Sequence, residues 1–369
     1  MRFNTANIHK KKNILPVFLT ISILAFYSPN QAAINQCVWT GVEKIVAVGD
    51  IHGAYDNFVK ILKGLGVIDE NLHWIAGETH LVQIGDVMDR GPKAKDTLDL
   101  LRRLEEEAEQ VGGKVHFLIG NHEEMNITGI SLDYMDYVTV EQFVSFLPEK
   151  YRMKKEKEFL KKVGKEAQNS ENLDLASNED LRKYWQNLIT NNIEAKKNYV
   201  NHFNDNYGKW ILEHNAVIKI NDIIFVHGGI SKRFSTWKLE DINEITRREL
   251  NFFRMMVKNP GLQQRPFAPQ IVYKPDGPLW YRGLAQNAEA EYSSEVDEIL
   301  KNLEANYMVI GHTPQTGSPV VGSEYQSRFM EKIWIIDTGI SHFAGGVLAG
   351  LIIENGIFKM KDIANENNE

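Results

Sequence analysis

The chain has 369 residues, of which 43% are hydrophobic and 25% are charged, and its formal net charge at pH 7 is −7. This length allows one large α/β domain with an insertion or two modest domains, and the composition excludes disordered, collagen-like and disulfide-dense proteins. The single cysteine, Cys37, excludes an intrachain disulfide. We expect Cys37 to be a passive surface or linker residue.

The first 33 residues have the layout of a secretory signal peptide. A cationic patch at Lys10–Lys12 precedes an apolar run from Ile14 to Tyr27, and small residues follow up to Ala33. The run is shorter than the roughly 20 residues of a membrane span. We therefore predict a periplasmic or secreted bacterial protein without stable membrane contact after cleavage; an uncleaved N-terminal anchor is the alternative. Removing residues 1–33 changes the net charge from −7 to −11, which argues against nucleic-acid binding.

From Lys44 onwards, short apolar runs alternate with segments of helical periodicity, which predicts an α/β domain from about residue 40 to 365. The predicted strands are 44–49, 80–85, 114–120, 217–220, 223–226, 307–310, 333–336, 348–353 and 357–360. Helices are predicted near 58–65 and 94–108, and hairpin turns at Asn221-Asp222 and Asn355-Gly356. Residues from about 140 to 214 carry dispersed apolar positions at helical spacing among Lys, Glu and Asn. This segment is predicted to be a helical insertion that packs beside the sheet as a cap.

Five of the predicted strands are followed, directly or after one glycine, by residues whose side chains can bind metal ions. Ligand sites favour the carboxyl edge of an α/β sheet, and carboxylate, imidazole and amide groups together suit Fe, Mn or Zn. In extended backbone, the side chains of Asp50 and His52 would point to the same side. The candidate ligands are Asp50, His52, Asp86, Asn121, His227 and His312.

These six residues divide into two sets that share one carboxylate. Asp50, His52 and Asp86 would bind one metal, and Asp86, Asn121, His227 and His312 would bind the other, as a two-metal phosphoryl site requires. A single Asp after a strand is more often a helix cap, and a single His is more often an ordinary core or surface residue. The joint occurrence of five glycine-flanked clusters favours a metal centre with two divalent ions.

The motifs around these residues resemble those of a known family. GDIHG (49–53), GDVMDRG (85–91), GNHE (120–123), HGG (227–229) and GHT (311–313) look like the successive motifs of the calcineurin-like metallophosphoesterases. They are most similar to the branch that holds the PPP-type and Shewanella-like protein phosphatases. The resemblance implies an α+β sandwich of two mixed β-sheets flanked by helices. It also implies hydrolysis of phosphate monoesters by a hydroxide that bridges the two metals.

The same resemblance assigns roles beyond the ligands. It implies that His122 is the general acid, that Asp89 orients it, and that Arg90 neutralises the phosphate. Arg282 is a second candidate for neutralising the phosphate, with an exposed salt bridge as the alternative. Many metallophosphoesterases carry a second histidine in the last motif, but none follows His312 here, so water or an unassigned side chain should complete the first metal site.

Three functions remain open from the sequence. The leading one is a phosphatase acting on phosphoproteins at Ser/Thr or Tyr. The alternative is a hydrolase of small phosphate compounds such as dinucleoside polyphosphates or nucleotides, because related motifs serve both activities. A non-catalytic metal-binding module is less favoured, since no ligand and no member of the Asp89–His122 pair is missing. His342 is a further candidate to face the site because it closely follows Asp337-Thr338-Gly339.

Overall fold

The computed structural model describes residues 36–162, 178–259, 268–315, 326–341 and 346–363. The predicted signal peptide and His342 lie outside these residues. Two mixed β-sheets form the centre of the described chain, with helices packed around them, as the resemblance implied. The strands are β1 Val38–Trp39, β2 Lys44–Val48, β3 His80–Gln83, β4 Lys114–Phe117, β5 Val217–Ile220, β6 Ile223–Val226, β7 Tyr307–Ile310, β8 Ser327–Arg328, β9 Ile333–Ile335, β10 Ala349–Glu354 and β11 Ile357–Asp362.

Each sheet contains a parallel block whose carboxyl ends point to one edge. The first sheet has the order β11-β10-β2-β3-β4, with β2, β3 and β4 parallel. The second has the order β1-β5-β6-β7-β9-β8, with β6, β7 and β9 parallel. The strands that precede the candidate ligands are therefore neighbours within their sheets.

Successive side chains of β2 point to opposite faces of the sheet, so this strand contributes to two hydrophobic clusters. Ile45 and Ala47 are buried in one cluster with Val217, Ile224 and other residues of the second sheet. Val46 and Val48 are buried in a second cluster with the helices on the opposite face. The helices are α1 Tyr55–Gly64, α2 Ala94–Glu109, α3 Asn121–Thr128, α4 Val140–Ser145, α5 Glu149–Lys162, α6 Glu179–Asn191, α7 Ile193–Phe203, α8 Lys209–Ile211, α9 Lys232–Ser235, α10 Leu239–Lys258, α11 Gly283–Gln286 and α12 Glu289–Asn302. None of the described helices is both long enough and apolar enough to cross a bilayer.

The predicted strands and hairpins are confirmed, with small shifts at their ends. The strand predicted at 80–85 ends at Gln83, because the Gln83 side chain accepts the backbone N–H of Gly85 and donates to its carbonyl. Asn221 and Asn355 take positive φ angles in the two hairpin turns. The expectation that Cys37 lies on the surface is wrong. It is 2% exposed, because the short strand β1 pairs with β5 and draws it into the core.

The segment 140–214 is largely helical where the structure describes it. It contains α4 to α8, and its apolar side chains belong to the same buried cluster as Val46, Val48 and Leu81 of the first sheet. Phe146 lies at the centre of an aromatic group, with ring centroids 5.9 Å from Tyr199 and 5.2 Å from Phe203. The insertion and the sheet therefore share one hydrophobic core.

Because the insertion and the sheet share one core, we expect them to unfold together. Phe146→Ala should lower the free energy of unfolding by about 3–5 kcal/mol, because it leaves a cavity among packed rings. Calorimetry should show one transition at a lower temperature. Ile193→Ala, at a position that is 84% exposed in the same insertion, should change stability by less than about 0.5 kcal/mol. A separate early transition for the insertion in Phe146→Ala would contradict the shared core.

Candidate active site

The candidate site lies where the carboxyl ends of β2, β3, β4, β6 and β7 meet. A cavity of about 310 Å³ opens there. Eight of the ten predicted site residues line it, namely Asp50, His52, Asp86, Arg90, Asn121, His122, Arg282 and His312. The other two, Asp89 and His227, are fully buried and contact these residues from behind.

Asp86 occupies the centre of the ligand set. Its Oδ2 lies 3.7 Å from His52 Nε2, and its Oδ1 lies 3.3 Å from His227 Nε2. Asn121 Oδ1 lies 2.9 Å from the same nitrogen of His227. Two groups with ligand atoms within 4.8 Å of one another share Asp86, as one bridging carboxylate would require. They are His52 with Asp86 and His122, and Asp86 with His227 and His312.

Asp50 is placed differently from the other ligands. Both of its oxygens accept the backbone N–H of His312 at 3.1 Å, and Oδ2 lies 4.0 Å from His52 Nε2. Burial, together with the nearby carboxylates of Asp337 and Asp86, raises the pKa of Asp50 well above its usual range. Crowded buried carboxylates of this kind are stabilised by a neighbouring cation.

Hydrogen bonds to backbone carbonyls orient two of the histidines. His52 Nδ1 lies 2.9 Å from the carbonyl of Met88, and His227 Nδ1 lies 3.0 Å from the carbonyl of Ile84. A proton on Nδ1 donated to the carbonyl would leave the Nε2 lone pair of each ring facing Asp86. This arrangement is common for histidines that ligate metals.

The residues fit a divalent metal centre. His312 Nε2 is buried and has no hydrogen-bond partner within the described chain, and burial lowers the pKa of His312 well below its usual range. Burial and the neighbouring His122 lower the pKa of His52 to about 3. Neutral imidazoles beside a carboxylate and an amide oxygen form a donor set that binds divalent ions.

His122 and Asp89 form a buried pair beside these groups. His122 Nδ1 lies 2.7 Å from Asp89 Oδ2, and His122 Nε2 lies 3.9 Å from Asp86 Oδ2. Burial opposes protonation of His122, but the carboxylates of Asp86 and Asp89 outweigh it and raise the pKa of this imidazole. A histidine with this partner can hold a proton for transfer.

Two arginines line the cavity, one in the loop after β3 and one directly before α11. Arg90 lies over the ring of Tyr137 at 5.3 Å from its centroid, and that ring packs against His122. Arg282 donates from one guanidinium nitrogen to the carbonyl of His312 at 2.7 Å and to the hydroxyl of Thr313 at 3.0 Å. These contacts hold Arg282 in the cavity wall. Among the described residues, Arg282 does not form the exposed salt bridge that was its alternative role.

Five residues of the site take backbone conformations that are costly for residues with a side chain. Positive φ angles occur at His52, Asp86, Asp89, Arg90 and His312. Non-glycine residues hold such conformations when the surrounding structure compensates for their cost. His52 therefore sits in a turn with φ of 49°, and the expectation that Asp50 and His52 share an extended backbone is wrong. Gly120 and Gly311 allow close approach instead, because a Cβ would lie 2.4 Å from the carboxylates of Asp86 and Asp50 respectively.

Comparison with known proteins identifies the family of this chain. The family model described as calcineurin-like phosphoesterase matches residues 43–316. The chain belongs to the calcineurin-like phosphoesterase family. The predicted family, its fold and its class of reaction, the hydrolysis of phosphate esters, are confirmed.

Three relatives of known name cover most of the chain. Shewanella-like protein phosphatase 1 of Plasmodium berghei (strain Anka) is 29% identical over 308 residues, which are 83% of this chain and 68% of that protein. Shewanella-like protein phosphatase 2 of Arabidopsis thaliana is 26% identical over 316 residues, 82% and 75% of the two chains. The crystal structure of a cold-active protein-tyrosine phosphatase from a psychrophilic Shewanella species has a TM-score of 0.60 and 25% identity, over 90% of this chain and 84% of that one.

Three residues of this phosphoesterase site were not identified from the sequence. The Glu123 carboxylate accepts backbone N–H groups of Asp86, Val87, Met88 and Gly120 at 2.8–3.3 Å. The other two are Asp337, which contacts Asp50, and Gln142, which contacts Asp89. Asp337 follows a predicted strand, so the signal that identified the ligands could have found it, but no local signal marks Gln142.

Glu123→Gln should weaken metal binding without removing a ligand. The amide would turn an N–H towards backbone N–H donors of Asp86 and Gly120, so the free energy of unfolding should fall by about 1–3 kcal/mol. Bound metal after dialysis, measured by elemental analysis, should fall as well. Glu124→Gln is the matched control, because Glu124 is equally buried and its Oε2 accepts from the Trp280 indole instead of from the loop after β3. Equal metal loss in both variants would contradict this role of Glu123.

Proposed function

We propose that this phosphoesterase is an exported, metal-dependent protein phosphatase that hydrolyses phosphate monoesters on Ser/Thr or Tyr side chains. The observation that carries the proposal is the ligand set around Asp86 with the His122–Asp89 pair at its edge. The names of the relatives, two Shewanella-like protein phosphatases and a protein-tyrosine phosphatase, support phosphoproteins as the substrate class.

The metals are proposed to be two divalent ions from among Mn, Fe and Zn. Asp50, His52 and Asp86 would hold one ion, and Asp86, Asn121, His227 and His312 the other. Bound divalent ions supply Lewis-acid activation of water and of the phosphate ester. His122 Nε2 also lies within the group formed with His52 and Asp86, but its Nδ1 is engaged with Asp89, which favours a role in proton transfer over metal binding.

The remaining residues have roles that follow from charge and position. Arg90 and Arg282 line the cavity and are proposed to bind the phosphate oxygens, because a guanidinium matches their charge and spacing. When the bond from phosphorus to the ester oxygen breaks, that oxygen becomes an alkoxide or phenoxide. His122 is proposed to donate the proton on Nε2 to this oxygen. Asp89 holds the resulting tautomer, with the Nδ1 proton directed towards its carboxylate.

A substrate panel with metal-bridge variants tests the proposal. The purified enzyme should release phosphate from phosphotyrosine or phosphoserine peptides faster than from diadenosine tetraphosphate. A chelator or Asp86→Ala should lower kcat by about 10³-fold or more, because the bridging carboxylate is lost. Asp241→Ala, an exposed carboxylate on α10, is the control that should keep full activity. Preference for the dinucleotide would favour the small-molecule hydrolase, and full activity of the metal-free protein would exclude the metal mechanism.

Export is proposed from the N-terminal sequence alone. The Lys10–Lys12 patch and the apolar run from Ile14 to Tyr27 should direct the chain out of a bacterial cytoplasm. N-terminal sequencing of protein from the periplasm or medium should begin near Ala33 or Ile34. A mature cytoplasmic protein that still begins at Met1 or Arg2 would refute the proposal.

A further inference from the structure

The carboxylate of Asp89 is surrounded by buried hydrogen-bond donors. Its Oδ2 faces His122 Nδ1, and its Oδ1 accepts from Asn126 Nδ2 at 2.9 Å and from Gln142 Nε2 at 2.8 Å. Asp89, Asn126 and Gln142 are all fully buried. Two amide groups therefore replace water around the oxygen that does not face His122.

Gln142 binds Asp89 twice. While its Nε2 donates to the carboxylate, its Oε1 accepts the backbone N–H of Asp89 at 2.8 Å. Asp89 has φ of 70°, a conformation that is costly for a residue with a side chain. One amide thus fixes both the main chain and the carboxylate of a strained residue.

A second residue of the insertion holds this amide in place. The Tyr199 hydroxyl donates to Asn126 Oδ1 at 2.7 Å and accepts from Gln142 Nε2 at 3.0 Å. Burial raises the pKa of Tyr199 well above its usual range, so its hydroxyl keeps its proton. Its ring stacks on Phe143 at 5.2 Å. Gln142 on α4 and Tyr199 on α7 both come from the segment 140–214.

We propose that Gln142 is a positioning residue for proton transfer, and that the helical insertion supplies it to align the Asp89–His122 pair. The inference rests on the proposed function, in which His122 protonates the leaving oxygen. Without the Gln142 amide, Asp89 loses a partner of its backbone N–H and one of the two amide donors to Oδ1, so its carboxylate is held less firmly against His122 Nδ1. Gln142 does not line the cavity, and its side chain bonds Asp89, Asn126 and Tyr199, none of which is a candidate metal ligand.

The expected signature is a dependence on the leaving group. Phenyl phosphate and phosphoserine peptides release poor leaving groups that need a proton, whereas 2,4-dinitrophenoxide leaves without one. Gln142→Leu should lower kcat about tenfold on the first two substrates and less than about twofold on 2,4-dinitrophenyl phosphate. KM and the metal content measured by elemental analysis should stay as in the unmodified enzyme. Tyr199→Phe, which keeps the ring packing, should show a smaller loss with the same dependence.

Asn204→Leu is the matched control for loss of a buried amide. Asn204 is fully buried in the same insertion and donates only to the carbonyls of Ile127 and Val200 in the contacts described. It should lower the melting temperature while leaving the ratio of kcat values between substrates unchanged. If Gln142→Leu fails to fold, the ratio of kcat values between substrates is compared for Tyr199→Phe and Asn204→Leu, and that comparison tests the proposal.

A double-mutant cycle with His122→Asn completes the experiment. If Gln142 acts through His122, adding Gln142→Leu to His122→Asn should cause no further loss on phenyl phosphate. Equal losses on all substrates, multiplicative losses in the cycle, no loss, or loss of metal would each overturn the proposal. If His122→Asn alone lacks the dependence on the leaving group, the assignment of the acid in the proposed function fails instead, and the role of Gln142 falls with it.

Discussion

One buried carboxylate, that of Glu123, fixes the two loops on which the ligand set depends. It accepts the backbone N–H groups of Asp86, Val87 and Met88 from the loop after β3, and that of Gly120 at the start of α3. The His122 N–H completes the connection by donating to Asp86 Oδ1 at 2.9 Å. The positions of Asp86 and Asn121 relative to each other therefore follow from hydrogen bonds between backbone N–H groups and the carboxylates of Glu123 and Asp86.

The electrostatics of the centre explain why cations belong there. Burying carboxylates without a compensating charge is costly, and hydrogen bonds recover only part of that cost. The described chain places two arginines in the cavity wall, fewer than the acids around it. Five carboxylates with at most 3% exposure lie at the site, on Asp50, Asp86, Asp89, Glu123 and Asp337. Two divalent ions would carry four positive charges, enough to offset the excess of carboxylates over arginines.

The sequence predicted what local patterns encode. Each candidate ligand lies in the turn after a buried strand, so a short apolar run and the polar residue after it were enough to predict that Asp86 and His227 lie at the candidate site. Contacts between distant segments leave no such pattern. Gln142 lies 53 residues from Asp89, and Tyr199 lies 73 residues from Asn126, yet the four side chains form one network. Strand β1 is only two residues long, and its pairing with β5, which buries Cys37, has no periodic signal.

The order of strands in the first sheet has a consequence for biosynthesis. β2, which presents Asp50 and His52, pairs on one side with β3 and on the other with β10, formed by Ala349–Glu354. A nascent chain that has reached residue 312 contains every candidate ligand, but β2 still has an open edge and could pair with strands of other molecules. Synthesis must continue for about 40 more residues before that edge is covered. A product truncated before β10 would therefore contain every candidate ligand while that edge of β2 stayed unpaired.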